Sequence, residues 1–155
     1  MGEGCGVECG KVDGESGGDH GPAGGGFEIE LAAANLGAIT ACLNWRLSPR
    51  ELAYCVELVS PKLVIIKQGL AGCLPPPVLE GLPIIEIGPQ YESLLQQHDT
   101  RAAPLAADCE DGLVILYTSG TTGRPKGAVI SHRAMVMRAL VFTSELNISH
   151  RDSFV

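Results

Sequence analysis

From residue 27 onward the sequence alternates short apolar runs with helix-type segments, and this alternation sets the fold class. The runs at 38–43, 62–67, 84–87 and 112–117 are rich in Ile, Val and Leu and are bounded by Gly, Pro or Asn. They are too short for helices, and continuous rather than alternating, as strands covered on both faces are. Between them, residues 27–36 predict a short helix stopped at Gly37. Ser48, Pro49 and Glu51 form a capping box that opens a second helix, with Leu52, Cys55, Val56 and Val59 on one face and Pro61 ending it. Residues 91–97 predict a third helix and 100–111 a polar connection. After a strand at 128–130, Ser131 can cap a last helix along which Met135, Ala139 and Phe142 recur. Strands separated by helices predict an α/β fold, a mostly parallel sheet with flanking helices.

The chain has 155 residues, 45% hydrophobic and 19% charged, which suits one globular domain. Only 5% are aromatic and the formal charge is -7, so both stacking rings and phosphate-binding cations are scarce. Nucleic acid is therefore not the expected partner. No apolar stretch reaches the roughly 18 to 20 residues of a membrane span. Neither a secretory signal nor a myristoylation signal is legible at the start, and the expectation is a cytoplasmic protein.

Residues 1–26 differ from the rest. They hold eleven of the twenty Gly and five acids against one Lys, with Val7 and Val12 the only branched aliphatics. A segment so poor in apolar side chains cannot offset its ordering entropy, so a disordered leader is expected there, with the folded domain over 27–155. Cys42, Cys55, Cys73 and Cys109 read as small buried hydrophobes or incidental thiols. Cys5, Cys9 and His20 do not complete a four-ligand set, and no metal site is expected.

The run at 112–117 leads directly into Tyr117-Thr118-Ser119-Gly120-Thr121-Thr122-Gly123-Arg124-Pro125-Lys126-Gly127. Glycines let backbone N–H groups approach an anion, hydroxyls donate further hydrogen bonds, and a Lys adds a compact positive charge. The composition suits a polyphosphate, although Gly, Thr and Pro also make ordinary turns. No Gly-Lys-Ser/Thr triplet is present, so this is not a Walker A loop, and no Gly-x-Gly-x-x-Gly follows a strand.

The ordered string from Tyr117 to Lys126, continued by Gly127-Ala128-Val129-Ile130-Ser131-His132, resembles the phosphate-binding signature of the adenylate-forming acyl-CoA synthetase superfamily. The segments around Ala32-Ala33-Ala34-Asn35-Leu36-Gly37 and Asn44-Trp45-Arg46-Leu47-Ser48-Pro49 resemble the part that precedes that loop in fatty-acid CoA ligases. The resemblance implies a partial large N-terminal domain and a two-step reaction, in which a carboxylate and ATP give an acyl-adenylate and coenzyme A then gives a thioester. It implies that Thr118, Ser119, Gly120, Thr121, Thr122, Gly123 and Lys126 hold the β- and γ-phosphates with Mg²⁺. The substrate would be a small carboxylic acid, fatty acids being the family's commonest theme. Arg124 stands at a variable position and is given no role. His132 is left outside the site set, with a structural role beside the helix start and substrate contact both open; Trp45 and Arg46 are read as scaffold, and His98 and His150 as solvated.

Enzymes of that superfamily are several times longer. The expectation is an N-terminal fragment of an acyl-CoA ligase that carries the phosphate loop, contributes no catalytic residue and is inactive alone. The alternatives are a residual nucleotide-phosphate or partner-binding module, and a non-functional product of a disrupted gene.

Overall fold

Gly37 and Ser48 mark the two best-defined boundaries between helix and strand, and the rest of the fold follows from them. A computed structural model describes residues 6–9, 25–44, 46–74, 76, 80–98, 101, 104–118, 124–149 and 151–152. Its elements are β1 (Gly6–Cys9), α1 (Gly25–Asn35), β2 (Ile39–Cys42), α2 (Pro49–Val59), β3 (Leu63–Lys67), a short 3₁₀ turn at Ala71–Cys73, β4 (Ile84–Ile87), α3 (Pro89–Gln97), β5 (Gly112–Thr118), β6 (Lys126–Ser131) and α4 (His132–Glu145). At the end of α1, Gly37 adopts φ 68°, and the N–H of Ala38 donates to the carbonyl of Ala33 at 2.9 Å. This closing bond needs a left-handed residue, which glycine supplies without strain.

The capping box forms as the sequence predicts. The Ser48 hydroxyl accepts the N–H of Glu51, and the Glu51 carboxylate accepts the N–H of Ser48 at 2.9 Å, with Pro49 opening the helix. Hydrogen bonds from the Ser48 hydroxyl, and then from its backbone, hold the Glu51 carboxyl below the ordinary glutamate value of 4.5. A lowered carboxylate pKa stabilises the fold above its unfolded value and loses that contribution as pH falls through the folded one. Ser48→Ala is accordingly expected to lower stability at pH 7, with the deficit shrinking as pH drops below about 4.5. Urea unfolding midpoints of the two proteins, taken across pH 3 to 7, check this.

The six strands form one sheet in the order β4-β3-β1-β2-β5-β6. Every neighbouring pair is parallel except β5 with β6, which is antiparallel. Successive residues of β3 serve opposite faces. Ile65 packs with Ile29, Ala33 and Ala38 beneath α1 and with Tyr91 of α3, while Val64 packs with Leu52, Cys55 and Val56 of α2 and with Leu43 and Leu74. The sheet is thus sandwiched, α1 and α3 on one side and α2 on the other. This is the α/β architecture expected from the alternation of runs and helices.

Two elements begin ahead of the places the sequence suggests. The structure places residues 6–9, inside the expected disordered leader, as β1 between β2 and β3. The backbone groups of two strands that would otherwise face each other unpaired favour an inserted strand whatever its composition. Helix α1 likewise starts at Gly25, ahead of the boundary expected at residue 27. Residues 1–5 and 10–24, with Cys5 and His20, lie outside the described residues. Of the two readings of the cysteines, Cys109 fits the incidental thiol: it is exposed in a polar turn, where its sulfur lies 2.8 Å from the Arg133 guanidinium. Cys55 is fully buried, and Cys42 and Cys73 are half-buried.

Helix α4 has the expected cap, Ser131 accepting the N–H of Ala134 at 3.2 Å, but no residue of it is buried. It lies beyond the edge strand β6, so Val136, Met137, Leu140 and Val141 are all more than half exposed. No described helix is long and apolar enough to cross a membrane.

Candidate functional site

The glycine and hydroxyl loop leaves the sheet where β5 ends and re-enters it where β6 begins. Thr118 and Lys126 stand opposite each other in the antiparallel ladder, and the Thr118 hydroxyl donates to the Lys126 carbonyl at 3.4 Å. Lys126, expected inside the loop, is therefore the first residue of a strand, and β6 begins two residues before the expected start at 128. The ladder bond requires this, since Thr118 at the end of β5 needs a partner. Both side chains are exposed. The base of the loop is thus a strand pair that sets Thr118 and Lys126 side by side, with the Thr118 hydroxyl on the Lys126 carbonyl and the Lys126 side chain exposed. Ser119, Gly120, Thr121, Thr122 and Gly123, the remaining expected site residues, lie outside the described residues.

The loop stands at the carboxyl ends of the parallel strands. Strand β2 runs beside β5 with Cys42 opposite Leu116, so the turn after β2, which carries Asn44 and Arg46, emerges on the same edge of the sheet. In open α/β sheets this edge is where ligands bind. Trp45 lies outside the described residues, and Arg46 is exposed.

Helix α2 supports both arms of the loop. On the β5 arm, the Tyr117 hydroxyl donates to the backbone carbonyl of Cys55 at 2.9 Å, and its ring packs on the cluster that contains Leu52 and Val56. On the β6 arm, the Arg124 guanidinium lies over the ring of Tyr54, 5.6 Å from its centroid. Gly127 lies opposite Tyr117, and a Cβ placed there would come within 2.9 Å of the Ile115 side chain. That methyl is part of a β-branched side chain with little freedom to move, so glycine is what lets the β6 arm lie this close. Sequence reasoning gave Arg124 no role and did not consider Tyr54. Aromatic and cationic residues 70 positions apart leave no local signal of their pairing.

His132 stands elsewhere. It follows β6, whose last residue Ser131 pairs with Gly112 at the start of β5, so the length of the strand, about 20 Å, separates it from the loop. Its N–H donates to the Asp111 carbonyl at 3.2 Å, and its buried Nε2 has no hydrogen-bond partner among the described residues. At the same pole, the Glu110 amide and then the Cys109 thiol hold the Asp108 carboxyl below its ordinary range, while Glu110 raises the pKa of Arg133. The Arg133 ion pair with Glu110, and the Arg133 N–H donated to the Cys109 carbonyl, fasten the start of α4 to the 108–111 turn. His98, expected to be solvated, is exposed, and His150 lies outside the described residues.

Among the described residues no three His, Cys, Asp or Glu converge as metal ligands. The two described residues at the base of the loop are a hydroxyl, Thr118, and a cation, Lys126.

The family described as AMP-binding enzyme matches residues 27–155. The chain is 34% identical over 126 residues to a long-chain-fatty-acid–CoA ligase of Thermus thermophilus, covering 74% of this chain and 22% of that one. In fold, it matches the inhibitor-bound N-terminal domain of FACL13 from Mycobacterium tuberculosis with a TM-score of 0.78 at 24% identity, covering 96% of this chain and 36% of that domain. It also matches a malonyl-CoA ligase in a ternary product complex with methylmalonyl-CoA and AMP, with a TM-score of 0.64 at 28% identity, covering 79% of this chain and 25% of that chain. The chain spans about a quarter or less of the length of the curated relatives it matches.

Proposed function

The chain belongs to the AMP-binding enzyme family, and from that premise we propose that it carries the phosphate-holding loop of an ATP-dependent acyl-CoA ligase. The observation that supports the reading is the pairing of Thr118 with Lys126 at the carboxyl-terminal end of β5, beside the parallel strand β2. Ser119, Gly120, Thr121, Thr122 and Gly123, which join them, complete the donor set. In this reading their amides, hydroxyls and the Lys126 ammonium take the β- and γ-phosphates of ATP.

In the reaction of the whole ligase, a carboxylate oxygen of the acid attacks the α-phosphorus. The bond from that phosphorus to the bridging oxygen breaks, and the bond's electron pair leaves with pyrophosphate. Negative charge builds on the leaving group, and the loop's work is to hold it in line and neutralise it. Mg²⁺ would enter on the nucleotide's own phosphates, beside the hydroxyls of Thr118, Ser119, Thr121 and Thr122, and supplies further charge neutralisation there. In the second step the thiol of coenzyme A displaces AMP from the acyl-adenylate. A fatty acid is the substrate favoured by the name of the Thermus relative.

The 155 residues correspond to about a quarter of such an enzyme, and none of the loop residues takes part in bond making. By themselves they bind the nucleotide and do not turn it over. A pyrophosphate-release assay with MgATP, palmitate and coenzyme A is expected to give no carboxylate-dependent signal above the protein-free control. Carboxylate-dependent release from the purified chain would overturn this part of the reading.

A further inference from the structure

We infer that Arg124 and Tyr54 form a positioning pair that holds the phosphate loop on helix α2, an inference that rests on the phosphate reading of the loop. In that reading, Lys126 meets an anion at a set place only if both arms of the loop are held. The β5 arm is fixed by its ladder and by the Tyr117 hydroxyl on the Cys55 carbonyl. On the other arm, Arg124 stands before the first ladder residue, Lys126, so β-pairing does not reach it. What holds it is the stacking of its guanidinium on the Tyr54 ring, 5.6 Å from the centroid. Tyr54 and Cys55 are neighbours on α2, and Leu58, one turn further on, approaches Gly127. One turn of α2 therefore meets the loop on both sides. A planar guanidinium suits this contact because it stacks on a ring while keeping its charge beside the anion site.

The test is a double-mutant cycle read as MgATP affinity by isothermal titration calorimetry, with thermal unfolding recorded for every variant. Tyr54→Leu removes the ring and Arg124→Gln removes the cation. Each is expected to weaken MgATP binding about two- to fivefold. The double variant is expected to be no weaker than Arg124→Gln alone, because either change already breaks the pair. Tyr54→Phe keeps the ring and is expected to bind like the wild type. Additive losses, as from a charge acting on the nucleotide with no help from the ring, would overturn the inference. So would a Tyr54→Leu variant of unchanged affinity.

Lys126→Ala separates the two readings. If it leaves affinity unchanged, or if the wild type binds no MgATP, the phosphate reading fails on its own account. The pair is then decided by amide hydrogen exchange at 119–123, expected to quicken in Tyr54→Leu and Arg124→Gln but not in Tyr54→Phe. Unchanged exchange in the first two would overturn the pairing.

Discussion

Lys126→Ala is expected to lower the affinity of the chain for MgATP by about 10- to 100-fold without changing its unfolding temperature. The magnitude follows from removing one charge-assisted hydrogen bond, worth roughly 1.5–3 kcal/mol. The unchanged stability follows from where Lys126 sits. Its backbone holds the first rung of β6 against Thr118, and its side chain is exposed, so alanine keeps the ladder and loses only the ammonium group. Lys126→Arg should recover part of the loss, since charge is retained while the compact shape is not. Calorimetric titration of the three proteins, with thermal scans alongside, checks the result. An affinity that is unchanged in Lys126→Ala would remove this residue from the site.

Leu52→Ala is expected to have the largest effect on stability, roughly 2–5 kcal/mol. Leu52 is 2% exposed and lies in the cluster where α2 meets the sheet, with Cys55, Val56, Leu43, Val64 and Leu74 around it. Removing its isobutyl group leaves a cavity walled by a β-strand on one side and its own helix on the other, so the surroundings have little room to collapse. A single domain has only about 5–15 kcal/mol in total, and this one change removes a large share of that. The consequence reaches the site, because α2 supplies the Cys55 carbonyl to Tyr117 and the Tyr54 ring to Arg124. Urea denaturation should show the loss directly. A midpoint equal to that of the wild type would mean that α2 is not the structural support of the loop.

Local signals carried most of the architecture. The capping box at Ser48, the stop at Gly37 and the strand at 84–87 depend on residues close in sequence, and each lies where the pattern put it. The α/β class followed from the same signals. What the sequence left unreadable depends on partners far along the chain. Composition argued against structure in residues 6–9, yet a gap between two parallel strands placed β1 there. The spacing of Met135, Ala139 and Phe142 predicted the last helix, but not that its residues would all stay unburied. The sequence left Cys109 open between a buried hydrophobe and an incidental thiol, because Arg133, which reaches it, lies 24 positions away. At the candidate site, the place of the loop between two strands was legible, and its residue types suggested an anion. The support of its arms by Tyr54, Tyr117 and Arg124 was not, because it depends on how α2 lies against the sheet.

In the proposed function, the loop between β5 and β6 holds the β- and γ-phosphates of a nucleotide. The most direct measurement is a competition titration of the purified chain with MgATP, magnesium pyrophosphate and AMP. The account predicts saturable MgATP binding, displacement by magnesium pyrophosphate, and at least tenfold weaker binding of AMP, which lacks the phosphates that the loop takes. AMP binding as tightly as MgATP, or MgATP giving no saturable signal, would contradict it.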